Sequence, residues 1–475
     1  MKKKWLKYIT ALIFVYLMFV VILFINNDYS LSILMPFASV FYGICVGLVF
    51  IRRPKAFRSI SVLIIFLMNF LRMVIIPAIY VSSGYVSSID TDAGIRHLNS
   101  AVLLVCLELF CTVIYIIASK KILKITRNEI GADLNENIRM RRFVKWIIGG
   151  ILCIAIICAY SDKSILSVIS TIFDRFVATD EMNVERRIAW LNARENSSIV
   201  FQLFSQAVYY LQILLPAVLL SYAAGRRKEN AKSKGFLIGI VVAFLSVLVV
   251  SDNNIDSVCI LLACLLVLYS AFEYKMNKLL PVMGIGVIGF ILMFLLKKSN
   301  VQLQGGGGLS RVLCAYFASF PNISCGFELE YTNKLITLWG DIVSGVPYLV
   351  FFFKGLPNSL TLFNFVSHGY GGITNQIMPL ISYGYNFLGI FAPTFTILFY
   401  SIAFEFEGRF RKTNNIFNRV LYAVMFINLS IGPGIFGLPN TIRRLCMYIP
   451  LLILIRMNTT LFSNVRKKRG GSFDG

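Results

Sequence analysis

The chain has 475 residues, of which 57% are hydrophobic and only 15% charged, and its mean hydropathy is +0.74. Such a composition excludes an ordinary soluble enzyme: there is too little polar surface to cover a folded core, and lipid has to serve as solvent. The formal charge of +23 does not imply nucleic acid, because most of the Lys and Arg fall in short loops that share one expected face of a membrane.

The chain reads as an all-α polytopic integral membrane protein with about twelve transmembrane helices. The first six expected spans are Tyr8 to Ile25, Leu31 to Ile51, Ser59 to Tyr80, Asn99 to Ala118, Phe143 to Tyr160 and Ile199 to Ala224. Six more run from Phe236 to Val250, Ser257 to Tyr274, Leu279 to Leu296, Ser382 to Phe404, Ile416 to Gly437 and Asn440 to Ile455. The basic loops after spans two, four, six, eight and ten place both termini in the cytoplasm. The first span follows the basic segment MKKKWLK but lacks a small-residue cleavage site, so it reads as an uncleaved helix.

The apolar stretch from Ile336 to Phe353 contains Gly340, Asp341, Gly345 and Pro347. Counting it as a span would move the basic clusters downstream to the outer face. It reads instead as a helix lying on, or dipping into, the outer leaflet.

Residues 1–475 form a single transmembrane domain with two sizeable outer loops, 161–198 and 297–381. The second, between the ninth and tenth spans, is expected to fold as a cap over the active site. Its Gly305 to Gly308 run reads as a hinge, with phosphate contact through backbone amides as the alternative. In the first loop, Ile165, Leu166, Ile169, Ile172, Phe173 and Phe176 recur at helical spacing, which suits an interfacial helix.

Most of the ten Cys fall within expected spans as small apolar side chains. Only Cys314 and Cys325 share an outer loop, where a bridge is an open question. There is no nucleotide-binding glycine pattern, no HExxH helix and no CxxC pair, and neither metal nor cofactor is expected.

Cations retained on the outer face ask for an anionic partner or for local carboxylates. Arg186 and Arg187 have both Glu and Asp nearby in sequence, whereas Arg443 and Arg444, at the outer start of the last span, have none. Inside the membrane, Arg72 and Glu108 have similar expected depth. They either pair across a helical hairpin or place Arg72 at the floor of a polar cavity, with Asn69, Gln202, Gln206 and Gln212 as further donors. The two His residues, His97 and His368, both fall on the expected outer face. An imidazole there is a natural base for a hydroxyl. His368, in the turn-rich SHGYGGITNQ, is the candidate; Asp341, Glu328 and Glu330 are rivals, and an inert surface His is the bland alternative.

The stretch GYGGITNQIMPLISYGYNFLGIFAP, with Gly371 and Gly372 followed by Tyr385, Asn386, Phe387 and Gly389, resembles the Wzy-type polymerases of bacterial O-antigen and capsule assembly. So do the many spans and the late outer loop. The pattern of an Arg ten residues before a Gly in two outer loops is not found here. The resemblance implies transfer of a growing glycan from undecaprenyl diphosphate to the non-reducing end of a lipid-linked repeat unit, on the outer face of the bacterial plasma membrane. Expected partners are that lipid-linked oligosaccharide and membrane lipid, together with a chain-length regulator and a flippase.

On this reading His368 and Arg311 are catalytic, and Arg72, Arg186, Arg187, Arg443, Arg444, Asn375 and Tyr383 bind diphosphate or sugar. Tyr370, Tyr383 and Trp339 are candidate stacking faces. A Wzx-like flippase and an O-antigen-ligase-like transferase are the alternatives. The flippase calls for internally repeated halves and short loops, which this chain lacks.

Overall fold

The structure, a computed structural model, describes residues 31–89, 91–127, 142–161, 199–226, 254–271, 308–353, 355–369 and 377–469. The expected first, seventh and ninth spans lie outside these residues, as do most of the 161–198 loop, Arg186, Arg187, Gly305 to Gly307, Tyr370 and Asn375. The described residues are helical, with no strand among them.

Seven described helices are long and apolar enough to cross a bilayer: Leu34–Arg52, Ile60–Ser82, Leu98–Ala118, Val144–Ser161, Leu203–Ser221, Ile416–Ile435 and Leu438–Asn458. An eighth crossing is made if the bent pair Leu380–Phe391 and Pro393–Lys412 counts as one. This is a polytopic, membrane-embedded helical protein. Large apolar side chains such as Leu67, Phe110, Trp146 and Ile157 stand exposed along these helices, as lipid-facing positions do.

The chain divides into two compact units, one of residues 1–128, 281–408 and 429–446, the other of residues 129–280, 409–428 and 447–475. In the first unit, Leu34–Arg52, Ile60–Ser82 and Leu98–Ala118 share a core that includes Met35, Val62, Met73, Val105, Phe320 and Tyr400. The helix ends are closed by charge. The Glu407 carboxylate accepts from Ser59 Oγ at 2.5 Å, from the backbone of Ile60 at 2.9 Å and from that of Ser61 at 3.1 Å, at the N-terminus of Ile60–Ser82. Arg53 donates to the carbonyls of Ile116 and Ser119 at the C-terminus of Leu98–Ala118. An anion at a helix start and a cation at a helix end each complement the macrodipole and the orphan backbone groups.

The tenth expected span is not a straight helix. Its two halves meet at 114°, because Gly389 takes φ 58° and Pro393 follows it. The first is a conformation costly to any residue with a Cβ, and the second cannot continue a helix. Gly384 seals the corner, since a Cβ there would lie 2.5 Å from the carbonyl oxygen of Ala392.

The 297–381 segment also does more than lie over the surface. Its helices Gly308–Tyr316 and Phe320–Phe327 form a hairpin whose Leu313, Cys314, Phe320 and Ile323 join the first unit's core. The Ile336 to Phe353 stretch is two short helices, Lys334–Gly345 and Leu349–Phe352, broken at Pro347. At twelve residues, the first is too short to span. Cys314 and Cys325 are buried free thiols, so the bridge left open by the sequence is not made.

The second unit packs Arg142–Ser161 against Ile199–Arg226 through Ala155, Cys158, Ala159, Phe204, Ala207 and Leu211. Its buried polar groups pair with one another: Asn428 donates to Asp256 at 3.0 Å, and Asn458 to Asn418 at 3.1 Å.

Candidate functional site

The first polar centre is buried in mid-span. Arg72 lies within a π-helical turn, Leu71–Ile75, inside the Ile60–Ser82 helix. Pro77 causes part of this irregularity: it has no N–H to offer the Met73 carbonyl one turn back, and Ser39 donates to that carbonyl instead, at 2.8 Å. The wide turn points Arg72 inward. Its guanidinium meets the Glu108 carboxylate at 3.0 Å with both side chains 2% exposed. Nε donates to the carbonyl of Ala318 at 3.0 Å, and Thr396 donates to the other Glu108 oxygen at 2.5 Å.

Ala318 is the tip of the 308–327 hairpin, and its own N–H donates to the Gly434 carbonyl at 2.8 Å. The hairpin therefore reaches the depth of Arg72, which is the behaviour of a re-entrant loop whose backbone finds partners inside the protein. Of the two readings of Arg72, the ion pair is the one observed; its burial leaves no open cavity floor. A buried pair that also engages two other segments, at Ala318 and Thr396, is a structural keystone.

The second centre lies at the end of the Leu98–Ala118 helix, where Ile60–Ser82 also finishes. His97 and Arg96 immediately precede Leu98, and both meet Glu328. Arg96 Nη1 donates to Oε2 at 2.7 Å, and His97 Nε2 lies 3.1 Å from Oε1. The side chains are 58%, 41% and 18% exposed for Arg96, His97 and Glu328 respectively, so solvent reaches the group. The His97 backbone is fixed by Ser324 Oγ, which accepts from its N–H at 2.9 Å and itself donates to the Ala93 carbonyl at 2.7 Å.

The Tyr385, Asn386 and Phe387 of the glycine-rich motif all turn toward this same segment. Tyr385 packs edge-on against Phe327 with ring centroids 4.5 Å apart, and Phe327 in turn lies 6.0 Å from the His97 ring. Asn386 donates to the Gly326 carbonyl at 3.1 Å and to the Tyr331 hydroxyl at 2.9 Å. Phe387 lies 5.6 Å from the Tyr331 ring. Tyr331 continues through the Ser359 hydroxyl at 3.4 Å to Asp341, which accepts from Ser359 Oγ at 2.6 Å and from its backbone N–H at 2.8 Å.

Asp341, a rival base by sequence, is fully buried and so is out of a substrate's reach. It holds the start of the Ser359–His368 helix, while Asn358 caps that helix by accepting from Thr361. Gly340 lets the two helices touch, for a Cβ there would collide with the Pro357 carbonyl.

Burial raises the Asp341 carboxyl from its ordinary value of 3.8 to about 6, against the opposing pull of the two Ser359 hydrogen bonds. The folded state therefore keeps a proton that the unfolded chain has lost. Stability conferred by the protonated carboxyl falls as pH rises from about 4 to about 6, by roughly 3 kcal/mol at most. Asp341→Asn, which stays neutral, is expected to flatten that part of the thermal midpoint's pH dependence in detergent.

The remaining predicted residues divide. Arg311 is exposed on Gly308–Tyr316, with no ion pair among the described residues. His368 ends the Ser359–His368 helix, a place where basic side chains serve the helix terminus. Arg443 is exposed, but Arg444 is buried with its guanidinium 3.4 Å over the Phe436 ring.

Tyr383 does not offer a stacking face, because it is 1% exposed and its ring covers Gly437. Tyr385, two residues on, is 40% exposed. Trp339 is 46% exposed, edge-on to Phe353. Sequence reasoning passed over Arg96, His97 and Tyr385 as a group, since their joining through Glu328 and Phe327 crosses more than two hundred positions.

No protein-family model, curated protein or solved structure matches this chain.

Proposed function

We propose that the protein is a membrane glycosyltransferase that polymerises undecaprenyl-diphosphate-linked oligosaccharide repeat units on the outer face of a bacterial plasma membrane. The observation that carries this reading is the convergence of Tyr385, Asn386 and Phe387 on residues 326–331, beside the partly buried Glu328 carboxylate and the exposed imidazole and guanidinium of His97 and Arg96. The residues that resemble the Wzy-type motif thus pack on the segment that carries Glu328, a group that with His97 suits sugar hydroxyls and proton transfer.

In the proposed reaction a hydroxyl of the lipid-linked acceptor attacks the anomeric carbon of the growing chain. The carbon–oxygen bond to undecaprenyl diphosphate breaks, and the electron pair leaves with the diphosphate. The developing charge calls for preorganised cations in a water-poor site. Arg311, exposed on Gly308–Tyr316, is the residue we propose for that task, with Arg186 and Arg187 as further candidates outside the described residues and Arg443 in reserve. A flippase and a chain-length regulator are proposed partners.

Deletion of the gene separates the readings. Single repeat units on the outer leaflet are the expected result. Accumulation on the inner leaflet would mean a flippase, and finished but unattached polymer a ligase.

A further inference from the structure

We propose that His97 and Glu328, rather than His368, form the proton-accepting pair for the acceptor hydroxyl, and that the sugar bearing this hydroxyl rests on Tyr385; the inference builds on the polymerase reading. Three observations join here. The His97 ring is 41% exposed and lies 3.1 Å from a Glu328 oxygen that is buried and accepts no hydrogen bond. Its backbone is pinned by Ser324, which fixes the ring's root as a catalytic geometry requires. Tyr385 stands 40% exposed and reaches the same imidazole through Phe327.

The protonation logic follows from the contact. With its proton on Nε2, shared with the Glu328 carboxylate, the imidazole has Nδ1 left to accept. Glu328 orients the ring and balances the imidazolium that forms, so it is a positioning residue, as in other carboxylate-oriented imidazole bases. As the acceptor oxygen bonds to the anomeric carbon, its proton passes to Nδ1. The bond to the diphosphate breaks with its electron pair, and the Nδ1 proton is released to water afterwards. The Nε2–Oε1 contact tightens when substrate seats, as unliganded base contacts commonly do. Arg96, on the other carboxylate oxygen, keeps Glu328 from turning away.

The test uses purified full-length protein and lipid-linked repeat units extracted from cells lacking the gene, with ladder formation as the readout. His97→Ala is expected to lower the extension rate about 10²- to 10⁴-fold, with KM little changed and membrane level normal. Added imidazole is expected to restore part of the rate, which a merely structural histidine would not allow. Tyr385→Ala is expected to raise KM several-fold with kcat kept, the signature of lost ground-state binding.

Wild-type extension by His97→Ala, or a loss that imidazole does not relieve, overturns the pair's role. If His97→Ala fails to accumulate, His97→Asn takes its place with the same criteria. A wild-type reaction without any ladder removes the polymerase reading itself.

Discussion

Arg72→Met is expected to remove most of the protein from the membrane. The substitution leaves the Glu108 carboxyl 2% exposed without its cation and with only Thr396 donating to it, and it also takes the donor from the Ala318 carbonyl. Breaking a buried pair by deleting one partner costs about 3–5 kcal/mol, because the surviving charge stays uncompensated. That is a large fraction of the roughly 5–15 kcal/mol that holds a typical domain folded. Glu108→Gln, which strands the guanidinium instead, is expected to act in the same direction.

The double replacement Arg72→Met with Glu108→Leu leaves neither charge and is expected to regain most of the loss. Immunoblots of membranes and thermal midpoints in detergent read both effects. Single variants as abundant and stable as wild type would mean that the pair does not hold the 308–327 hairpin in place.

Arg311→Ala is expected to behave in the opposite way: normal abundance and little or no polymer. The side chain is exposed on a short helix, where substitutions change stability by about 0.5 kcal/mol or less. A charge-assisted contact to the departing diphosphate is worth about 1.5–3 kcal/mol, so extension should fall roughly 10- to 150-fold. Arg311→Lys keeps the charge but not the planar fork and is expected to recover only part of the rate. Glycan gels from complemented deletion cells provide the measurement. Full-length polymer from Arg311→Ala would remove the residue from the site.

The spans were legible because lipid imposes a length and a hydropathy that no other environment requires. Leu34–Arg52, Ile60–Ser82 and Leu98–Ala118 fall within a few residues of their expected bounds. The Arg72 to Glu108 pairing was legible for a related reason: two mid-span charges of opposite sign at one depth have few other places to go.

What the sequence hid were departures from straight helices. The bend at Gly389 and Pro393 lies inside an apolar run that reads as one continuous span. The 308–327 hairpin, read as part of a surface cap, is drawn inward by a single guanidinium and by Gly434. The second centre was hidden by distance along the chain. His97 and Glu328 were each visible as outer-face candidates, yet nothing in their local patterns joins them. The motif at Tyr385 to Phe387 was conspicuous, but its target, residues 326–331, is defined only by packing. Tyr383 was misjudged as a stacking face because helical spacing alone does not say which neighbour faces inward.

Incubation of the purified protein with lipid-linked repeat units, without any other protein, tests the central claim most directly. The account predicts a ladder of products spaced by one repeat unit, with undecaprenyl diphosphate released in step. Repeat units that persist unextended, while wild-type protein remains folded in detergent or liposomes, would contradict it.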